Sequence, residues 1–462
     1  MTTSSVATRR QGARRGAGDQ LPARGVRRRW AGLLLVAVLA GLAAGRFILF
    51  TPARVGDAAA PDLGGSLATA LAEAEQATVG NPEDLGAWQE LGVLATRRAA
   101  EMGDPSYYDL AGGAFERADA LTPGHPATLL GQGNLALSLH EFADALDLGR
   151  RALAEQPDSA AALGVMVDAE VELGDYAAAA GHLQQMLDRS PDLPALSRTS
   201  YLRELHGDLE GAIAAMSQAE AAGSGSVFDV AAVAALLGDL RLAADDLDGA
   251  NEAYARADRL AGGIAPAAVG RARVLAARGD ADAAIALLER IVERAPQPGA
   301  VILLGELQVV AGRDADAAET FELVRVIAAL QSSSGQVTDL EMARFEADHG
   351  DPAHAVELAR RAYAARPDNV FAADALAWAL HRAGQGQEAV ALARDATRLG
   401  TADGLLRSHA AAVFAAHGDD RAAREELTAA LALGPLLSPT AQRDAEALAG
   451  RLGVALAEGS AP

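Results

Sequence analysis

Turn-forming and helix-breaking residues recur along this chain at a step of 34 residues. The step separates successive positions in two groups: Pro123, Pro157 and Pro191, then Pro367, Thr401 and Pro435. Equal spacing over several periods is typical of a repeat array, in which each unit buries its apolar surface only against its neighbours. This constraint outweighs the length of 462 residues, which alone would suggest about three globular domains.

A second spacing recurs inside the periods: a glycine, an alanine five residues later, and an apolar residue seven further on. The glycine is expected to end the first helix of a pair, because a left-handed residue without a Cβ costs least there. The alanine then lies one turn into the second helix, at a close crossing that admits only a small side chain. The glycines and alanines of the seven instances are Gly174 and Ala179, Gly207 and Ala212, Gly279 and Ala284, Gly312 and Ala317, Gly350 and Ala355, Gly384 and Ala389, and Gly418 and Ala423.

The first period carries residues that are typical of a known repeat. They are Trp88, Leu91 and Gly92 on one predicted helix, then Ala111, Phe115, Ala118 and Pro123 on the next. With this pattern and this period, the chain resembles the tetratricopeptide repeat family across residues 64–435. The first repeat departs from the family by about two extra helical turns between Gly92 and Ala111. The resemblance implies an all-α protein, a right-handed α-solenoid of about ten helix pairs.

Breaks in composition divide the rest of the chain. Two serine- and glycine-rich stretches, 223–226 and 332–335, interrupt the repeats and are predicted to be flexible joints. The predicted organisation is a disordered basic cytoplasmic tail at 1–29, a transmembrane helix at 30–50, a linker at 51–62, the repeat array with an N-terminal half-repeat cap at 63–435, a C-terminal capping helix at 436–453 and a tail at 454–462.

Residues 30–50 form a nearly uninterrupted apolar run. As a helix, this run would cross a bilayer core of ~30 Å. Residues 1–29 hold eight arginines against one acid, so this segment carries +7 and the rest of the chain −29. Because arginines cluster before the run, the positive-inside rule predicts a single-pass protein with a cytoplasmic N-terminus and an extracytoplasmic array. The alternative is a secreted protein, cleaved from its signal peptide near Ala58-Ala59-Ala60.

Several classes of chemistry find no support in the sequence. The chain has no cysteine, which excludes disulfides and thiolate metal sites. The acidity of the array argues against binding to nucleic acid. Residues 131–136 match the dinucleotide fingerprint GxGxxA but fall inside a predicted first helix with no strand before it. We expect no enzyme activity, no cofactor, no metal site and no small-molecule substrate.

The resemblance implies that the first helices of the pairs line a concave groove. Projecting the family register onto this chain selects candidate partner-binding residues on that wall: Asn134, Arg198, Tyr201, Arg273, Arg344, Asp374, Trp378 and His381, with Asp168, Asp239, Glu306 and His409 on the same face. Aromatic and arginine side chains are the types that dominate binding interfaces. The lysine and asparagine clamp of some family members is missing, since the chain has no lysine and Val165 replaces the clamp's second asparagine.

The sequence therefore predicts a membrane-anchored scaffold that binds a protein or peptide partner in its groove. Envelope assembly, secretion or protein maturation is the expected setting, by analogy with membrane-tethered arrays of this kind. Two alternatives stay open. One is a signalling adaptor that faces the cytoplasm, and the other is the substrate-recruiting subunit of a separate enzyme.

Overall fold

The computed structural model describes residues 67–456, apart from residues 224, 225 and 263. The described residues form 22 α-helices and no strand. In chain order the helices are α1 (Leu67–Gly80), α2 (Leu85–Met102), α3 (Ser106–Leu121), α4 (Pro126–Leu139), α5 (Phe142–Glu155), α6 (Ala160–Leu173), α7 (Tyr176–Arg189), α8 (Leu193–Leu205), α9 (Leu209–Ala222), α10 (Val227–Ala243), α11 (Leu247–Ala261), α12 (Ala265–Ala277), α13 (Ala281–Arg294), α14 (Pro298–Val310), α15 (Asp314–Ser333), α16 (Asp339–His349), α17 (Pro352–Ala365), α18 (Val370–Arg382), α19 (Gly386–Ala396), α20 (Gly404–Ala416), α21 (Asp420–Ala432) and α22 (Pro439–Leu452).

Helices α2 to α21 form ten successive pairs whose two members pack against each other. This arrangement confirms the predicted all-α solenoid of helix pairs, while its right-handed sense stays a prediction. Helix α1 packs on α2 in the place predicted for a half-repeat cap, and α22 packs on α14, α20 and α21. The extra residues of the first repeat lengthen its first helix, since α2 has 18 residues and α4 has 14.

The predicted turn glycines adopt left-handed backbone in six of the seven instances, with φ between 71° and 88°. Gly350 differs, because its φ is −141°. A Cβ at this position would lie 1.7 Å from Glu346 Oε2, so a larger residue would have to displace the Glu346 carboxylate. Two turns that the glycine pattern did not identify use other residues in the left-handed region, His140 and Asp245.

The seven crossing alanines are all buried, with 2% of their surface exposed or less. Large rings fill the adjacent space by packing on glycines of the flanking first helices. A Cβ at Gly238 or Gly270 would lie 2.5 or 2.2 Å from the ring of Tyr254. Likewise, a Cβ at Gly131 would lie 2.3 Å from the ring of Phe115. The first glycine of the GxGxxA match therefore accommodates an aromatic ring between helices, which is a packing role.

The stacking of the pairs is interrupted between α15 and α16. Helix α15 extends through Ser333, so the predicted second joint is helical in its first half. Every other second helix of a pair packs along the first helix of the next pair, whereas α15 meets α16 mainly through long side chains. One such contact is the ion pair between Arg325 Nε and Glu346 Oε1, at 2.9 Å. Of the predicted first joint, residues 224 and 225 lie outside the described part of the chain.

The pairs from α16 to α21 also pack sideways on the pairs from α4 to α11. Hydrogen bonds carry donors of the later half to carbonyl oxygens in the last turns of first helices in the earlier half. We call this surface the seam, and one bond to each of four first helices is Val337 N to Leu139 O (3.0 Å), Asn369 Nδ2 to Glu172 O (3.0 Å), Ala402 N to Glu204 O (3.0 Å) and Gly434 N to Ala243 O (2.8 Å). The array is thus more than a chain of nearest-neighbour contacts.

The predicted transmembrane helix at 30–50 lies outside the described residues, as do the predicted tail at 1–29 and the predicted linker at 51–62. Among the helices that the structure describes, none combines the length and the apolar character needed to cross a bilayer.

Candidate functional site: the wall of first helices

Acidic and basic side chains pair between consecutive first helices along the predicted wall. Arg198 on α8 donates from Nε to Asp168 Oδ1 on α6 at 2.8 Å and also bonds Oδ2 of the same carboxylate. Two parallel bonds hold the guanidinium and the carboxylate in one plane. Burial raises the pKa of Asp168 in spite of the opposing effect of Arg198. The structure therefore brings Arg198 together with a wall residue of the preceding repeat.

Arg273 on α12 faces Asp239 on α10 more loosely. Its Nη1 lies 3.6 Å from Asp239 Oδ1, and the hydroxyl of Tyr254 donates to the same oxygen at 2.7 Å. The Nε of Arg273 is buried and has no hydrogen-bond partner among the described residues. A guanidinium in this position keeps donor capacity for a further acceptor.

The later repeats hold the densest part of the wall, centred on Asp374 of α18. Arg344 Nη2 donates to Asp374 Oδ2 at 2.8 Å, and His409 Nδ1 lies 3.1 Å from Oδ1. Although burial opposes ionisation, His409 and Arg344 together hold the pKa of Asp374 below its usual value. Two polar atoms at the edge of this cluster lack partners among the described residues, Arg344 Nε and His409 Nε2.

Trp378 belongs to this cluster through both its ring and its indole nitrogen. The indole stacks on His409, with ring centroids 4.2 Å apart and planes at 7°, and on His381 at 5.3 Å. Its Nε1 donates to Asp348 on α16 at 2.7 Å. Only 8% of Trp378 is exposed, so the side chain fills the space between neighbouring first helices. Whether it also contacts a partner stays a prediction.

His381 lies at the partly exposed end of the same stack. Burial, with Arg382, His417 and His409 nearby, lowers its pKa to about 4. An imidazole with this pKa is neutral at physiological pH and packs on the indole as an apolar ring.

The other two predicted residues do not join these clusters. The Nδ2 of Asn134 donates to Leu130 O one turn earlier in α4, at 2.9 Å. Tyr201 is half-buried and packs against the large core cluster that runs through the middle of the array. Of the eight predicted wall residues, six thus lie in paired or stacked clusters at three places, Asn134 bonds within its own helix, and Tyr201 packs against the core.

One wall residue that the sequence prediction omitted is Asp348, the acceptor of the Trp378 indole. It follows Arg344 by four residues and so shares its helix face. The spacing of 30 residues between Asp348 and Trp378 equals that between Asp168 and Arg198 and that between Arg344 and Asp374. A search for complementary polar residues at this spacing would have found it.

Much of the wall is covered. All residues from Ala162 to Glu172 on α6 and from Val370 to Leu380 on α18 are buried. A first helix that touched only its neighbours would keep one face open to the groove. In the part of the chain that the structure describes, no three histidine or acidic side chains come together as metal ligands.

Helix pairs, crossing alanines and paired polar side chains on the first helices define a helical-repeat protein with a polar inner wall. Three segments match the family model described as tetratricopeptide repeat, at residues 130–194, 165–227 and 269–331. Residues 130–227 and 269–331 therefore match tetratricopeptide repeats, which supports the repeat class predicted from the sequence. No curated protein matches this chain.

Several solved repeat structures are similar to this chain at low identity. A thermophilic tetratricopeptide repeat protein of Thermus thermophilus is 23% identical, covers 42% of this chain and 100% of its own, and has a TM-score of 0.37. A tetratricopeptide repeat protein of Parabacteroides merdae is 17% identical, covers 54% of this chain and 98% of its own, and has a TM-score of 0.37. In the Cut9–Hcn1 hetero-tetramer of the APC/C the identity is 13%, the shares are 84% and 93%, and the TM-score is 0.35. Nothing about function follows from these scores.

Proposed function

We propose that this protein is a membrane-anchored scaffold that binds a protein or peptide partner on the wall of its first helices, without catalysis. Residues 30–50 serve as the anchor, and the array lies on the extracytoplasmic side. The setting is envelope assembly, secretion or protein maturation. The tetratricopeptide repeats support the binding role, and the arginines that precede residue 30 support the orientation.

The observation that carries the binding role is the unused donor capacity of two wall arginines. Arg273 Nε and Arg344 Nε are buried from solvent but have no acceptor among the described residues. A buried donor without an acceptor costs ~1–3 kcal/mol. Arg273 keeps 24% of its side chain exposed and Arg344 12%, so rotation of either guanidinium towards a carboxylate or a backbone carbonyl of a partner segment would remove that cost. Both arginines lie on first helices, and a bound segment that follows the wall would meet them in turn.

The ion pairs of the wall arginines indicate which chemical groups a partner would need. Asp239 holds Arg273 at 3.6 Å, too far for a hydrogen bond of normal length. The guanidinium can therefore turn to an acidic side chain or a chain terminus without breaking a strong bond. Arg198, whose Nε and Nη2 both bond Asp168, has less to offer a partner. We propose an acidic segment of the partner at Arg273, with Arg344 as a second contact through its Nε, because its Nη2 stays bonded to Asp374 at 2.8 Å.

A crosslinking capture from intact membranes tests the binding role. Arg273→Gln and Arg344→Gln should each lower recovery of the crosslinked partner by about tenfold, the effect of losing one charge-assisted bond. Arg271 provides a matched control, because it lies on α12 together with Arg273 but is exposed. Arg271→Gln should leave the recovery unchanged. Equal recovery from all three variants would exclude the wall arginines as the binding site.

Reporter fusions at the C-terminus test the orientation. Activity of an extracytoplasmic reporter alone is expected. Activity of a cytoplasmic reporter alone would instead favour the signalling adaptor. The third class, a subunit that recruits substrates, predicts that one enzyme copurifies with the solubilised chain in fixed proportion.

A further inference from the structure

The seam repeats the same contact on four consecutive first helices. Its hydrogen bonds in the first three of these join residues 196–198 positions apart. The acceptors are carbonyl groups in the last turns of α4, α6, α8 and α10, which have no acceptor role inside their own helices. The donors come from the turns before α16, α18 and α20 and after α21. The later half of the array thus completes the hydrogen bonding of helix ends in the earlier half.

Turn glycines distinguish the covered part of the array from the open part. A Cβ at Gly174 would lie 2.2 Å from the carbonyl carbon of Asp368, and one at Gly207 would lie 2.6 Å from Gly400 O. In contrast, a Cβ at any of the equivalent turn glycines of other pairs meets nothing within 4 Å: Gly279, Gly312, Gly384 and Gly418. The seam is therefore a specific contact of one half with the other.

Thr401 stands where the 34-residue step otherwise has proline. Its hydroxyl donates to Leu205 O at 2.9 Å, and the side chain is buried. Asn369 acts in the same way one repeat earlier, because its Nδ2 donates to Glu172 O while its Oδ1 caps α18. Proline can donate from neither side chain nor backbone. These two positions thus carry residues that suit the seam.

The centre of the seam is polar and incompletely bonded. Arg366 forms an ion pair with Glu172 across it and stacks on the ring of Phe142 at 4.9 Å. Three buried acceptors beside this pair lack partners among the described residues: Glu172 Oε1, Gln336 Oε1 and Glu341 Oε2. A cavity of about 10 Å³ lined by His140 and Glu341 adjoins them. Buried ion pairs and unbonded acceptors stabilise a contact less than apolar packing of the same area.

Two further observations concern the resting state of the array and the junction at which its later half could move. Apolar side chains of both halves share one buried cluster, from Leu163 to Phe414, so the closed form is the resting form. At the junction of α15 and α16, immediately before Gln336 begins the seam, the two helices meet through side chains, with Phe321 stacked on His349 at 4.3 Å and edge-on to Phe345 at 5.7 Å. Movement of the later half at this junction would leave every helix pair intact but would separate these rings and the contact of α22 with α14.

We propose that the seam is a reversible latch, which opens as a unit about the α15–α16 junction and exposes the covered wall of first helices to a partner. The second part of this statement rests on the proposed function. Opening separates the seam hydrogen bonds, the ion pair of Arg366 with Glu172 and the apolar side chains that the two halves share. It leaves the contacts within each helix pair intact, so it costs less free energy than unfolding of the repeats.

Hydrogen exchange of the full chain, without any partner, tests the latch. The amide of Gly434 donates across the seam and should exchange at least tenfold faster than buried amides of α13. A covalent lock within the seam, away from the α15–α16 junction, should remove this difference. The chain has no native cysteine, so Glu204→Cys with Ala402→Cys, whose backbones meet at 3.0 Å, can be joined by a short bis-maleimide. Exchange at Gly434 that is as slow as in α13, or that ignores the lock, would overturn the proposal.

Conservative variants test the named donors. Thr401→Val removes the hydroxyl, and Asn369→Asp removes the Nδ2 donor but keeps the cap of α18. Thr401→Val should raise exchange at Gly434 about threefold to tenfold, as expected for one lost hydrogen bond. Asn369→Asp should raise it more than tenfold, because its buried carboxylate also faces the carbonyl oxygens of Val171 and Glu172. Thr401→Ser keeps the donor and is the control. Unchanged exchange in both Thr401→Val and Asn369→Asp would exclude the seam hydrogen bonds as the latch.

The link to partner binding has a separate readout. In the membrane capture described above, the locked chain should recover at least tenfold less partner than the same variant without the bis-maleimide, and Thr401→Val should recover more than Thr401→Ser. If locking slows exchange but leaves recovery unchanged, the latch exists and its coupling to binding is excluded. Loss of recovery in Arg273→Gln with normal latch exchange would support the wall as the site, independently of the latch.

Discussion

Each charged residue on the wall has a partner in the next repeat, and this pairing decides what the residue can do. Asp374 is held between Arg344 and His409, whereas Arg273 has only a distant carboxylate. From the sequence, the two arginines are equivalent members of one face. Their difference depends on side-chain positions 30 or more residues away, which no local pattern specifies.

Replacement of Trp378 by alanine should lower stability. The indole is stacked between two histidines and donates to Asp348, so truncation leaves a cavity and an unbonded carboxylate. We expect a loss of about 3–5 kcal/mol in the free energy of unfolding, measured by urea titration of helicity. From the sequence alone, the same variant is expected to weaken partner binding and melt almost normally.

Trp378→Phe separates the two contributions. Phenylalanine keeps an aromatic ring against His409 but cannot donate to Asp348, so we expect a loss of only about 1–2 kcal/mol. If Trp378→Ala lowers the free energy of unfolding by less than about 1 kcal/mol, the stack contributes little to stability. That result would favour Trp378 as a contact for the partner.

Acid should destabilise the protein through His381. Its folded pKa of about 4 lies below the ordinary value of 6.5. Between pH 6.5 and pH 4, His381 is protonated in the unfolded chain but not in the folded chain. The free energy of unfolding therefore falls as the pH drops through this range. His381→Gln should lose less stability than the natural chain between pH 7 and pH 5. The exposed His354 on α17 offers the matched replacement, His354→Gln, which should behave like the natural chain.

At the scale of helices, small residues at fixed spacing determine how closely a pair packs. Ala284 is fully buried at the crossing of α13 with its neighbours. Ala284→Leu should force the helices apart and lower the free energy of unfolding by about 1–3 kcal/mol. Ala286 lies on the exposed face of the same helix, and Ala286→Leu should change the urea midpoint little. Equal midpoints for both variants would contradict the assigned register.

The helix pairs could be predicted from the sequence because their signals are local. Glycine ends a first helix, alanine allows the crossing, and both recur at fixed separation. Where the prediction differs from the structure, a contact outside the turn is responsible. The Glu346 carboxylate lies against Gly350, and His140 takes a left-handed turn while its ring nitrogen bonds Val337 O at 2.7 Å.

At the scale of the whole molecule, the seam makes distant repeats interdependent. If it is a latch, the double variant Asn369→Asp with Thr401→Val should have a larger radius of gyration than the natural chain, because a larger fraction of molecules is open. Small-angle X-ray scattering of the full chain in detergent-matched buffer measures this. Thr401→Ser should be indistinguishable from the natural chain, and an unchanged radius in the double variant would contradict a latch held by these donors.

The sequence by itself determined the helices, their pairing, their order and the face that carries the charged side chains. These features depend on turn chemistry and on residue size within one period, so they are readable from one period at a time. Only the tertiary structure decided which wall residues meet, how much of the wall is covered and that the later half closes on the earlier one. Those contacts depend on small rotations added over several repeats, and a repeating pattern does not encode their sum.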